Sequence, residues 1–201
     1  MGFNIRNYPL TTISGILLII FYCAFTLVSW AFYPESYGPI TNYLSRLGNL
    51  NYSPFGGYFY NIGCILTGIA LVPFFLGLKD WYTENIVQRV VMVIGQVLGV
   101  ASGFALMAIG VFSENTGEPH MTASGDFFLL NFFVLIIITV ALFFNSKFNR
   151  LVGVYGLAIT LSSLGFALTL RGPLIEWYTV FGSLVFVGLL AWNSIRLRNH
   201  Q

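Results

Sequence analysis

The sequence predicts an all-α polytopic membrane protein of six transmembrane helices, and three observations predict it. Of 201 residues, 57% are hydrophobic and only 8% charged, whereas soluble chains carry about a quarter charged residues. Six uncharged stretches, 7–34, 47–78, 90–113, 127–146, 151–170 and 177–195, each reach 19 residues or more. A helix needs about 20 apolar residues to cross a ~30 Å hydrocarbon layer. The runs are continuous, whereas barrel strands would be about ten residues of alternating polarity.

The first span, near 11–33, is too long for the apolar core of a signal peptide and no small-residue cleavage site follows it, so it is expected to be retained. The longest connection, YPESYGPITNYLSRLGNLNYSPF, comes next. Ile40, Tyr43, Leu44 and Leu47 recur in it at helical spacing, Pro39 suits a first helical position and Gly48 a C-terminal stop. The pattern predicts a short interfacial helix over 39–47 in this first outer loop, its polar side presenting Asn42, Ser45, Arg46 and Asn49. On the plainest reading that helix only covers the bundle.

The second span, 56–78, carries Asn61 and Thr67. The third, 88–112, contains GQVLGVASGFALMAIG, with Gly95, Gly99 and Gly103 four residues apart on one face. Lipid tails give helices no hydrophobic reason to associate, so close backbone approach through small residues supplies much of the packing energy. Span three is therefore expected to be central; the same stripe could also pair copies of the chain in a homo-oligomer. Gln96 and Ser102 would add hydrogen bonds worth ~0.6 kcal/mol each on average.

The fourth, fifth and sixth spans, 125–145, 151–170 and 175–195, hold Asn131, Ser162 and Ser163 as internal polar groups. Cys23 and Cys64 fall inside spans and read as packing residues. No lysine, arginine or carboxylate lies near a span midpoint, which argues against pumps, voltage sensors and proton-coupled carriers. A retinal protein is excluded for the same reason, since it needs an intrahelical lysine. Little sequence remains between spans, so residues 1–201 are expected to form one six-helix domain.

Charge sets the expected orientation. With a cytoplasmic N-terminus the inner side carries Arg6, Lys79, Arg89, Lys147, Arg150, Arg196 and Arg198, and the outer side only Arg46 and Arg171. Both termini are then cytoplasmic, in a cell membrane, and 34–55, 112–125 and 171–174 form the outer face. A net charge of +2 arising from those inner cations gives no support to nucleic-acid binding.

That outer face holds the most unusual stretch, FSENTGEPHMTASGDFF (112–128). Glu114, Glu118 and Asp126 are three of the seven acidic residues, and His120 is the one histidine away from the C-terminus. Asn61 and Asn131 enter the membrane near the same side. Arg46 and Arg171 leave the inventory net negative even before Glu35 and Glu176 are counted. Ser45, Arg46, Asn61, Glu114, His120, Asp126, Asn131 and Arg171 are therefore the candidate ligand-binding residues, with structural salt bridges the simpler alternative.

Catalytic zinc needs three protein ligands, commonly several histidines, and one histidine does not supply them. Calcium could use Glu114, Asn115, Glu118 and Asp126, but no recognised spacing is present. Ser45 or Ser124 with His120 and Asp126 can be drawn as a triad, without any G-x-S-x-G elbow to support it. His120 could equally act as a pH-sensitive gate or a structural hydrogen-bonding group. No metal and no cofactor is expected.

Two segments, NYLSRLGNLNYSPFGGYFYNIGCILTGI (42–69) and GVFSENTGEPHMTASGDFF (110–128), resemble the signatures of an uncharacterised six-helix membrane family, a domain of unknown function widespread in archaea and bacteria. The corresponding positions are Ser45, Leu47 and Gly48 before span two, and Phe112 and His120 before span four. The family is distantly similar to the group containing the damage-regulated autophagy modulators and a GPI-anchor remodelling factor. The resemblance implies the fold and membrane location, with a hint of lipid-related biology, and it groups Ser45 with His120.

Three functions stay open at this point. The first is a non-enzymatic protein binding a lipid headgroup or small polar ligand at its outer interface, or a structural one. The second is a lipid-modifying hydrolase or transferase with His120 as general base, oriented by Asp126 or Glu114. It requires His120 within reach of a carboxylate and of a lipid-accessible cavity. The third is a small-solute transporter, needing a polar path from Asn61 and Asn131 past Gln96 to the inner side.

Overall fold

The computed structural model describes residues 7–170 and 172–199. Among them, six helices are long and apolar enough to cross a membrane. They are α1 (Leu10–Ala31), α2 (Pro54–Gly77), α3 (Ile86–Val111), α4 (Glu118–Phe143), α5 (Arg150–Thr169) and α6 (Pro173–Asn199). Arg6 and Arg171 of the charge inventory, and His200, lie outside the described residues. Local chemistry explains the starts. Proline stands in the first turn of α2 and α4, where its missing N–H costs nothing. The Asn85 side chain accepts from the amides of Val87 and Gln88 to cap α3, and Asn149 caps α5 through Leu151 N–H.

Each helix packs beside the next, and α6 returns to α1, so the six close into a ring. The most extensive contacts join α1 to α2, α2 to α3 and α3 to α4. Small residues make these seams close. A side chain on Gly68 would run into the Gly103 carbonyl, one on Gly103 would meet the Gly68 carbonyl at 2.9 Å, and one on Gly99 would overlap the Phe75 ring. Gly95 faces Ile138 of α4. The stripe of span three is thus used between α2, α3 and α4 of the same chain.

The end of the bundle bearing residues 32–53 and 112–117 is called the loop end; the opposite end, where α1 begins and α6 finishes, is the terminal end. The terminal end is closed. Leu78, Trp81, Met92 and Leu142 are fully buried there. Trp81 Nε1 donates to Ser194 Oγ at 2.9 Å, and its carbonyl accepts from Gln88 Nε2 and from Asn145 Nδ2, both at 3.1 Å. Gln88 in turn accepts from Thr83 N–H at 3.0 Å. This polar knot ties the turn after α2 to α3, to the α4–α5 connection and to α6.

Two boundaries differ from the sequence expectation. The fourth helix begins at Glu118 rather than near 125, so His120 stands on a helix and not in a loop. Its start is set by Gly117, whose φ of 73° suits glycine, followed by Glu118 and Pro119 in the first turn. In the first loop, the helix expected over 39–47 is a 3-10 turn over Leu44–Gly48. Leu44 and Leu47 are its buried side, whereas Ile40 and Tyr43 are 81% and 51% exposed. The late start follows from Tyr43, whose backbone is extended at φ −60°, ψ 143° and breaks the helix there, while the Tyr37 hydroxyl donates to the carbonyls of Tyr43 (2.6 Å) and Leu44 (3.2 Å) and pins the turn that follows.

Candidate functional site

The first loop forms a roof fastened to three helices. Ser29 Oγ of α1 donates to Leu47 O at 3.1 Å, and Asn61 Nδ2 of α2 to Gly48 O at 3.0 Å. From α6, Trp177 Nε1 donates to Asn42 O at 2.9 Å, and Glu176 Oε1 accepts from Ser45 N–H at 3.1 Å. Glu176 therefore caps the first amides of the Leu44–Gly48 turn, the place where a carboxylate complements unpaired N–H groups. Its other oxygen, Oε2, is shielded from solvent and has no hydrogen-bond partner. Burial holds the Tyr37 hydroxyl above its ordinary pKa, with the Glu176 carboxylate adding to it, so the phenol remains a donor to the roof.

Beneath this roof lies an interior cavity of about 70 Å³. Leu18 and Tyr22 of α1, Tyr60 to Phe75 of α2, Ser102 to Ile109 of α3, Ser124 to Ile138 of α4 and Glu176 to Leu190 of α6 bound it, with Ser45 of the roof above. Glu176 and Leu190 are separated by about 21 Å at 1.5 Å per residue, so the cavity is long and narrow. Its terminal half is walled by Leu71, Phe74, Phe75, Ile138 and Leu190, and the buried layer of Leu78, Met92 and Leu142 lies beyond. Polar groups gather toward the loop end: Ser45, Glu176, Ser124 and the pair Asn131–Ser183, joined at 3.1 Å. Midway, Thr67 Oγ1 is buried without a partner.

The two walls differ. All ten lining residues from α1–α3 are buried, among them Leu18, Tyr60 and Leu106. On the loop-end half of the other wall, Ser124, Phe127, Phe128, Asn131, Val180, Ser183 and Leu184 are all half-exposed.

The structure divides the sequence-predicted residues among three places. Ser45 and Asn131 line the cavity, and Asn61 holds the roof above it. Arg46 stacks on the Tyr52 ring at 4.2 Å, and hydrogen bonding to Tyr33 raises its guanidinium pKa above the usual value. Glu114 pairs with the Asn49 side chain, and Asn115 Oδ1 accepts from Leu50 N–H at 3.1 Å, so the loops before α2 and before α4 do meet.

His120 is 3% exposed, and its Nδ1 lies 2.7 Å from the Phe112 carbonyl. A carbonyl only accepts, so Nδ1 carries the proton. His120 thereby ties the start of α4 to the end of α3, and it does not line the cavity. Asp126 is exposed beside Glu118 in a shallow depression at the loop end. Arg171 lies outside the described residues. Sequence reasoning counted Glu176 only as surface charge. Its signal was its place one residue inside the sixth predicted span, where a carboxylate is costly unless it has a task.

The chain belongs to the family described as protein of unknown function DUF998, whose model matches residues 16–193. No curated protein and no solved structure matches it.

Proposed function

We propose that this membrane protein holds an amphiphilic lipid, with the chain threaded along the interior cavity and the head at the loop end beside Ser45, Glu176 and Asn131. The observation that carries this reading is the cavity itself, apolar and blind toward the terminal end, polar toward the roof. At ~24 cal/mol per Å³ of unfilled volume, about 70 Å³ costs roughly 2 kcal/mol of packing. A chain occupying it would return those contacts. The same polarity gradient matches a lipid lying parallel to its bilayer neighbours. The excess of cations at the terminal end supports cytoplasmic termini and an outward-facing roof.

This reading is favoured over hydrolysis by His120 because the recorded bond of that imidazole goes to a backbone carbonyl, away from the cavity. It is favoured over transport because fully buried Leu78, Trp81, Met92 and Leu142 stand between the cavity and the terminal end.

The test is lipid extraction and native mass spectrometry of protein purified in mild detergent. One lipid per chain is expected in the wild type. Leu106→Trp, which projects an indole into the cavity, should abolish retention while preserving the thermal transition. Wild-type protein free of lipid under conditions that keep other annular lipids bound would sink the proposal.

A further inference from the structure

We infer that the ligand enters sideways, out of the bilayer leaflet at the loop end, through the seam between α4 and the paired α5–α6. This rests on the lipid-binding reading above and names the source of the ligand: a bilayer-resident lipid taken up by its tail, not a water-borne solute.

Four observations converge on the seam. Both cavity walls face the same interior space, so their unequal exposure reports access from outside, and the half-exposed residues are confined to the loop-end halves of α4 and α6. Along α4, no residue from Ser124 to Phe133 is buried, although Ala123 and Val134 on either side are. Along the last six residues of α5, Leu164 to Thr169, and at Leu170 after it, every residue is exposed, so nearly two turns have no covered face. A Cβ on Gly165 or on Gly125 would meet nothing within 4 Å.

The contacts between helices show which way α5 leans. Its terminal half packs on both α4 and α6, with Gly153 against Phe143 of α4 and Gly156 between Phe186 of α6 and Thr139 of α4. Toward the loop end it stays with α6: Ser162 Oγ meets Tyr178 OH at 2.7 Å, and Phe166 meets the Tyr178 ring at 5.2 Å. A wedge therefore opens between α4 and the α5–α6 pair at hydrocarbon depth.

Other routes are obstructed. Above, the roof is bonded to α1, α2 and α6, with Leu44 and Leu47 at 0% exposure. Below lies the buried layer of the terminal end. The wedge is faced by Phe127, Phe128, Val180 and Leu184, crossed by the single polar contact between Asn131 and Ser183. Aromatic and aliphatic walls in contact with lipid present no desolvation barrier to an alkyl chain, whereas a hydrated solute would have to shed its water first.

The experiment uses full-length protein in vesicles and a lipid carrying a diazirine near the end of its acyl chain. Photolabelled peptides should map to the loop-end halves of α4 and α6 and to the cavity residue Leu106. Two variants test passage in opposite directions. Phe127→Cys with Val180→Cys, in a Cys23→Ala background, places thiols on the two sides of the seam while leaving the Asn131–Ser183 pair in place. Closing them with a short reducible crosslinker should abolish lipid uptake, and reductant should restore it. Phe128→Ala, which thins the wall, should speed uptake.

Uptake unchanged by the crosslink, in protein that still retains its lipid, would overturn side entry while leaving lipid binding intact. Absence of retained lipid in every form would overturn the binding reading instead. Labels spread evenly over all lipid-facing helices, or crosslinks joining two chains across α4, would also overturn side entry.

Discussion

The α1–α3 half of the bundle and the loop-end half of α4–α6 enclose one cavity by different means. In the first, backbones touch through Gly68 and Gly103 and every cavity-lining residue is buried. In the second, ten consecutive residues of α4 and the last six of α5 contain none that is buried. In a bilayer both arrangements satisfy the backbone within each helix, so what separates them is side-chain and backbone packing alone. The difference teaches that hydropathy, nearly equal in the two halves, is silent about which helices hold together and which stand apart.

Substitutions can break or sharpen this contrast. The largest effect is expected from Gly68→Leu, which drives a branched side chain into the Gly103 backbone; a loss of about 3 kcal/mol or failure to assemble follows from overpacking against atoms that cannot move aside. Thermal unfolding in detergent measures it, and near-wild-type stability would mean that the tight half is not tight. Gln88→Ala should come next. It strips the Trp81 carbonyl and the Thr83 amide of a fully buried partner, at about 2 kcal/mol in the same assay.

His120→Ala removes the tie from α4 to the Phe112 carbonyl and should cost about 1 kcal/mol, with lipid retention unchanged. Lost retention at preserved stability would return His120 to the ligand site. The smallest effect belongs to Gly165→Ala. With open space around it, the methyl should be neutral or raise stability by up to ~1 kcal/mol through helix propensity. A marked loss there would show that α5 is packed toward the loop end after all.

Much of the fold was legible, because crossing a bilayer imposes length and apolarity on each helix and both can be counted along the chain. Five of the six expected spans begin within two residues of the observed helices. The exception, α4, was placed by the end of a charged cluster, yet a helix continues beyond the hydrocarbon when its polar first turns reach water; Glu118 and His120 lie in that extension. The first-loop helix was expected too long because helical spacing of apolar residues says nothing of a single extended residue, and the backbone turns extended at Tyr43.

Of the candidate site, the meeting of the loops before α2 and before α4 was legible through topology, and so were Ser45 and Asn131 as groups facing inward near that end. The cavity was not. It lies among α1 to α4 and α6, and how those helices lean together is a matter of tilt that no residue pattern along one helix records. Glu176 escaped for a related reason: its role depends on the Leu44–Gly48 turn lying over the first turn of α6, a contact across 131 residues of chain.

The polar knot around Trp81 has a mechanical consequence. By binding the turn after α2 to α3, α6 and the α4–α5 connection, it makes the terminal end a fulcrum and leaves the loop-end half of α5, exposed from Leu164 to Thr169, as the lever arm. A helix of 20 residues such as α5 is ~30 Å long. A tilt of about 5° at the fulcrum displaces its far end by roughly 3 Å at 1.5 Å rise per residue. On the lipid-binding reading proposed above, such a lean would widen the seam without breaking one hydrogen bond of its anchor.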